Sequence, residues 1–281
     1  MNHPVELLAQ SYLKDIISNK KKMDSETIET VVNDIRDALH RQFAGESRQE
    51  FRLRPSNLGR PKCQLWFDKN KPSQASELPS NFVINMFLGD VVEAIFKGIL
   101  RAMKVDFKDT GNIDVDIDGQ KITGEYDLIL NDKVDDIKSA SNWSYKYKFS
   151  NYHDLKKSDS FGYIPQLAIY SEATGKDVGG WWVINKANGE FKYVSASEMD
   201  KKEVLNKVKD TINYINKDKP FERCFDAVDE TYRGKPSGNK YLGKECHFCK
   251  YKHECWDNIQ ELPSKVSQAK EPPIVEYVHL A

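Results

Sequence analysis

The sequence contains no run of about 18 uninterrupted apolar residues, so it offers no membrane-spanning helix. Between Met1 and Lys22 it lacks the basic, apolar, small-residue order of a secretory leader. The default location is therefore the cytoplasm, or a host cytoplasm if the chain is phage-encoded. It has no excess of either charge: 42 Lys+Arg face 43 Asp+Glu, a formal net charge of -1. Total charge thus does not announce a nucleic-acid binder. It has no Gly-x-x-x-x-Gly-Lys-Ser/Thr loop, which excludes a helicase motor of that type, and no internal repeat. Cysteine is scarce: five residues, an odd number that does not suit a disulfide framework. At 281 residues, 39% hydrophobic and 30% charged, the chain can bury a sizeable core and is not of disordered composition.

Hydrophobic spacing predicts two helices within residues 4–43, separated by a solvated Lys20-Lys21-Lys22 turn. Residues 52–62 are basic and carry two prolines, so they read as a loop entering a short helix near Cys63 to Lys69. A long apolar helix follows from Phe82 to Met103. Short β-type runs fill 104–138, punctuated at Gly111-Asn112, Asp118-Gly119 and Asn131-Asp132, and suggest an antiparallel meander. Helices are expected at about 161–173 and 197–217, with strands at 178–185 and 190–195. Residues 221–244 read as loop and 260–281 as an extended tail. This order predicts an α/β fold: a mixed central sheet flanked by helices, with an N-terminal helical region.

The strongest chemical signal lies in Ile122-Thr-Gly-Glu-Tyr-Asp127 and Asp136-Ile-Lys138. Asp136 and Lys138 are two apart and share one face of a strand. A turn at Asn131-Asp132 would lay the two strands side by side and bring Asp127 to Asp136. Paired carboxylates suit a hard divalent cation, Mg²⁺ or Mn²⁺. A neighbouring lysine can place or deprotonate an attacking water. The plainer alternative is a charged hairpin on a solvated sheet face, because residues 106–136 hold ten acids against three lysines. Asp135 adjoins Asp136 but points to the opposite face.

Cys246-x-x-Cys249-x5-Cys255 can present thiolates to one metal. For zinc, His247 or His253 could complete the set; the alternative fourth ligand is Cys63. Cys224 does not fit the spacing and reads as a buried small hydrophobe. Charge is also local. Residues 52–62 hold four positive groups and no acid, 138–157 five lysines with interleaved aromatics, and 231–252 six positive groups and one Glu. Each patch alone could be solubilising surface; together they suit phosphate and unpaired bases. Ser56, Arg60, Tyr145, Lys146 and Lys148 are the candidate DNA contacts.

Gly124-Glu-Tyr-Asp127 followed by Asp136-Ile137-Lys138 resembles the PD-(D/E)xK nuclease superfamily, in its RecB-like exonuclease branch. Asp136 stands where that family usually has Glu. The resemblance implies metal binding by Asp127, Asp136 and the Ile137 carbonyl, with Lys138 catalytic. Phe87-Leu-Gly89-Asp-Val-Val-Glu93 is similar to the family's helical first motif, which makes Glu93 a third metal carboxylate, with Asp90 as fallback. Gln166-Leu-Ala-Ile-Tyr170 matches the branch's Gln-x-x-x-Tyr signature. The spacing of Cys63, Cys246, Cys249 and Cys255 resembles the iron–sulfur members, the AddB-type domains and CRISPR-adaptation nucleases. Those four residues would then hold a 4Fe-4S cluster as a structural staple.

The resemblance implies a restriction-endonuclease-like core over 55–259, between an N-terminal helical region (1–54) and the tail (260–281). The expected activity is metal-dependent exonuclease action on DNA, single-stranded or with ends, in recombination, end processing or degradation. The alternatives are a structure-specific endonuclease and a non-catalytic nucleic-acid-binding module with a zinc or iron–sulfur staple. Expected partners are DNA, copies of the chain itself or a recombination- or CRISPR-type protein, and no membrane.

Overall fold

A computed structural model describes residues 3–44, 50–217 and 219–281. Residues 45–49, within the expected N-terminal region, lie outside the described residues. The chain runs α1 (Pro4–Ile17), α2 (Ser25–Phe43), α3 (Pro55–Leu58), α4 (Lys62–Asn70), α5 (Phe82–Ala102), β1 (Phe107–Lys108), β2 (Gly111–Ile117), β3 (Gln120–Tyr126), β4 (Leu128–Leu130) and β5 (Lys133–Ala140). A π-helical turn (Ser144–Lys148) leads to α6 (Tyr152–Lys157), α7 (Tyr163–Thr174), β6 (Asp177–Asn185), β7 (Phe191–Ser195) and α8 (Lys201–Asn216). The remainder is β8 (Val228–Tyr232), β9 (Lys235–Tyr241), α9 (Lys244–His247), α10 (Lys252–Cys255), β10 (Gln260–Pro263) and β11 (Ile274–His279).

These elements form two compact units, each discontinuous in sequence. One comprises residues 1–59 and 79–212; the other comprises 60–78 and 213–281. The division differs from the linear order of the sequence reading: residues 60–78, with Cys63, group with the C-terminal segment.

The first unit is built on a mixed sheet in the order β1-β4-β5-β6-β7. Only β5 and β6 run parallel, and α7 lies on the connection between them, as a parallel pair requires. The β4–β5 hairpin closes through Asn131 and Asp132, both at positive φ (50° and 64°), with Leu130 paired to Lys133. Positive φ at both central residues is the two-residue turn whose twist matches the flanking strands. The core beneath the sheet gathers Val5, Phe96, Leu100, Leu128, Leu130, Ile137 and Trp182. Thus α1 and α5 cover the strands that carry the acidic motif.

The segment 104–138 is not one meander. β2 and β3 form a separate two-stranded ribbon, and only β1, β4 and β5 join the main sheet. The expected single strand through 121–130 breaks at Asp127, where the chain leaves the ribbon. In the second unit, β8 and β9 occupy the expected loop 221–244. They are joined by Arg233 and Gly234, both at positive φ. The tail is extended as predicted, but as strands: β10 and β11 complete a sheet in the order β10-β11-β9-β8.

Candidate functional site

Asp127 occupies the break between β3 and β4, so its side chain is free of a strand's alternation. Its Oδ2 accepts the Ile137 backbone N–H at 2.6 Å. That bond ties the entry of β4 to the middle of β5. Two residues along the same face of β5, Lys138 Nζ lies 2.9 Å from Asp136 Oδ1 and 2.8 Å from Oδ2. Asp136 is fully buried, and its Oδ2 has no hydrogen-bond partner of suitable geometry. Burial, then the charge of Asp136, pushes Asp127 up to about 7, against Lys138 and the Ile137 N–H. Burial likewise raises Asp136, opposed by Lys138. For Lys138 burial opposes the charge, but Asp136 and Asp127 outweigh it and hold the ammonium above its usual range.

Asp135 faces the other side of β5 and is fully engaged there. It accepts from Gly180 N–H at 2.8 Å, Trp182 Nε1 at 3.0 Å and Tyr193 OH at 2.9 Å. Burial pushes it up to about 7 despite those donors. Gly179 makes this possible: a Cβ there would sit 1.9 Å from Asp135 Oδ1 and 2.8 Å from the Val134 carbonyl. Asp135 therefore anchors the strand while Asp136 is left for the site.

Glu93, on α5, reaches the same place. Burial raises its carboxyl, Asp127 adds to the shift, and Lys97 opposes it. Asp90 instead accepts from Gln42 at 2.8 Å and pairs with Arg41 at 3.3 Å. On α7, Gln166 Nε2 donates to Tyr170 OH at 2.8 Å. Burial is the main cause that raises the Tyr170 phenol, followed by the charges of Asp136 and Asp127, so its hydroxyl borders the carboxylates. The N-terminus of α7 is fixed by Asp159, whose carboxylate accepts from Gly162, Tyr163 and Ile164 N–H groups at 2.8–3.0 Å. Gly162 sits at φ +79°, and a Cβ there would meet the Gly59 backbone at 2.4 Å.

Sequence reasoning missed Lys97. It is buried, bonds Glu93 Oε1 at 2.6 Å and Asp109 Oδ1 at 3.1 Å, and also donates to Thr110 Oγ1. Burial works against its charge, but Glu93, Asp109 and Asp127 hold it above its usual value. A cavity of about 230 Å³ opens beside it, lined by Glu93, Lys97, Asp90, Asp109 and Arg41 among others. Among the described residues, no three His, Cys, Asp or Glu side chains already stand as a metal-ligand group. Glu93 and Asp136 each hold a lysine instead.

The expected DNA contacts are divided between the two units and differ in exposure. Ser56 is exposed on α3, and Arg60 belongs to the other unit. Lys146 is exposed; Tyr145 lies under Lys192 Nζ, 4.3 Å from its ring centroid. Lys148, expected at the surface, is buried.

All five cysteines lie in the second unit. Cys63, Cys246, Cys249 and Cys255 line one cavity with Phe67, Phe225 and Trp256. Burial pushes Cys246 up to about 11 and raises Cys249 and Cys255. Arg223 braces the same site, with Nε and Nη2 on the Cys255 carbonyl at 2.8 and 2.6 Å. Cys224 is not the isolated buried thiol expected. It is half-buried, and its Sγ accepts from Cys63 N–H at 3.1 Å. The interaction between the two thiols raises Cys63 and lowers Cys224 to about 7.

No family model matches this chain, and no curated protein does. A solved structure described as "Crystal structure of SSO0001" is similar over 82% of this chain and 96% of that one, with 14% identity and a TM-score of 0.40. Among the described residues, no helix is long and apolar enough to cross a membrane.

Proposed function

We propose that the protein is a metal-dependent DNA nuclease with a restriction-endonuclease-like core, acting on strand ends. The observation that carries this reading is the grouping of Asp127, Asp136 and Glu93 about Lys138, with Asp136 fully buried. Several buried carboxylates at close quarters are costly unless positive charge compensates them, and one lysine serves Asp136 and Asp127 together. The donor set is all oxygen, which fits Mg²⁺ or Mn²⁺. Asp127, Asp136, Glu93 and the Ile137 carbonyl would hold it. Bound there, a divalent ion supplies Lewis-acid polarisation of a phosphate.

The chain's own groups divide the remaining work. Lys138, kept charged by Asp136 and Asp127, offers an ammonium to a phosphate oxygen or an attacking water. The Tyr170 hydroxyl, fixed by Gln166, borders the carboxylates and can hold a phosphate oxygen in place. Asp127 locks β4 against β5, so the carboxylates and Lys138 keep their spacing.

The cysteine cavity supports a 4Fe-4S cluster held by Cys63, Cys246, Cys249 and Cys255. Four thiols line one mainly apolar cavity, and soft thiolate ligands suit iron–sulfur chemistry. The cluster would tie residues 60–78 to the C-terminal segment and act as a staple.

The test is degradation of end-labelled single- and double-stranded DNA in Mn²⁺, comparing wild type with Asp127→Asn and Lys138→Met. Loss of at least about a hundredfold in both variants is expected, as for removal of a positioned catalytic group. Equal activity in all three proteins overturns the catalytic assignment. The lysines already seated on Glu93 and Asp136 favour one competitor, a non-catalytic DNA-binding module; a folded wild type that binds DNA without cutting it would support that instead.

A further inference from the structure

Lys148 is the one cation of the expected DNA-contacting group that the fold buries, at 7% exposure. Its Nζ lies 4.6 Å from the Tyr163 ring centroid, 4.8 Å from Phe161 and 6.0 Å from Phe149. Among the described residues it makes no ion pair and no side-chain hydrogen bond. The carboxylate that influences it, Asp159, is committed to the three N–H groups that begin α7. A buried ammonium supported only by ring faces is incompletely compensated. An anion brought to it would supply the missing compensation.

The rings define what that anion belongs to. Phe149 and Tyr163 stack at 5.6 Å, and Tyr163 and Phe161 continue the stack at 5.8 Å with an interplanar angle of 12°. Phe161 ends the stack and is 55% exposed. Its backbone is held between Asp159 and Gly162, so the ring is presented by a fixed segment. The same Tyr163 ring lies 5.2 Å from Lys138 Nζ. Laid end to end, the two ring distances put the Lys138 and Lys148 ammonium groups at most about 10 Å apart. An anion on Lys148 therefore lies close to the proposed reaction centre.

We propose that Phe161, Tyr163 and Lys148 form a nucleotide subsite for single-stranded DNA, in which an unpaired base stacks on Phe161 and its phosphate binds Lys148. This inference rests on the nuclease reading and names its substrate. An open aromatic ring accepts any base whose face is free, and paired bases inside a duplex have none to offer. The subsite thus selects unpaired strands over closed duplex.

The experiment measures binding apart from cleavage, with the full chain and no added divalent metal. The probes are a fluorescein-labelled oligothymidine and a duplex closed at both ends by non-nucleotide ethylene-glycol linkers, read by fluorescence anisotropy over a salt series. Phe161→Ala should weaken the single strand about 5- to 150-fold, the range of one base–aromatic stack, with the capped duplex unchanged. Phe161→Trp should restore it. Lys148→Met keeps the buried stem and should lower the single-strand salt slope by about 0.7, one phosphate contact. If Lys148→Met fails to fold by circular dichroism, the exposed Phe161 pair decides. Wild-type single-strand affinity in Phe161→Ala overturns the proposal, as does equal weakening for both probes. If wild type degrades DNA while Phe161→Ala binds normally, the subsite alone falls. If wild type neither binds nor degrades DNA, both readings fall.

Discussion

Gly179→Ala should be far more damaging than its conservative chemistry suggests. The added methyl would lie 1.9 Å from Asp135 Oδ1 and 2.8 Å from the Val134 carbonyl, well inside van der Waals contact. A loose side chain would swing away, but Asp135 is held by Gly180 N–H, Trp182 Nε1 and Tyr193 OH. Displacing it breaks those bonds inside the sheet. Hydrogen bonds to charged groups are worth about 1.5–3 kcal/mol each, and losses at one carboxylate are not additive, so the cost should be on the order of 3–5 kcal/mol. Gly175→Ala is the control. That site has positive φ (65°) but nothing within 4 Å of an added methyl, so strain alone of about 1–2 kcal/mol is expected. Urea unfolding by circular dichroism measures both, and hydrogen exchange of β5 and β6 amides reads the same loss within this unit. The sharper form is a double-mutant cycle. In an Asp135→Ala background only the Val134 carbonyl still crowds the methyl, so Gly179→Ala should cost at least about 2 kcal/mol less than it does in wild type. A single Gly179→Ala within 1 kcal/mol of wild type, or strict additivity in the cycle, refutes the reasoning.

Lys97→Met should destabilise the first unit by about 3 kcal/mol, because Glu93 and Asp109 lose a buried partner; an unchanged unfolding midpoint would show that water replaces the lysine. Tyr170→Phe should cost only about 1 kcal/mol of stability, by depriving Gln166 of its acceptor, yet reduce Mn²⁺-dependent cleavage at least tenfold; equal cleavage removes Tyr170 from the site. For Glu276, burial disfavours the carboxylate, but Lys252 and His247 outweigh it and hold its pKa below the usual value. Its stabilisation is therefore complete above the ordinary glutamate range and disappears as pH falls through the lower native value. Glu276→Gln should flatten acid unfolding of the second unit, and an unaltered pH profile would count against the pair.

Much of this arrangement was legible in the chain because it depends on local chemistry. Asn131-Asp132 announces its own turn, and alternation along β5 separates Asp135 from Asp136 without tertiary information. The i, i+4 spacing of Gln166 and Tyr170 gives their hydrogen bond. What stayed hidden depends on contacts between distant segments. Glu93 and Lys97 look like any exposed helical pair; only Asp109 and Thr110, from beyond α5, make that lysine an internal one. Lys148 sits in a run that reads as solvated surface, and its burial comes from the turn carrying Phe161 and Tyr163. The strand break at Asp127 is invisible to an apolar count through 121–130. β8 and β9 escaped notice because Arg233-Gly234 lacks the usual Asn-Gly form and the strands are rich in polar residues. Cys224 looked superfluous because spacing says nothing about its approach to Cys63.

The discontinuity of the second unit also bears on how the protein is made. Cys63 emerges early in synthesis, whereas Cys224 lies 161 residues further along. At about 5–20 residues per second, the Cys63 segment waits roughly 8–30 s for its neighbours, while the chain of the first unit is completed in between. For that interval the thiol is a nascent-chain liability, open to oxidation or to a mistaken metal. Slowing elongation or raising oxidant during translation should therefore lower the yield of correctly assembled protein more than the same treatment applied after release.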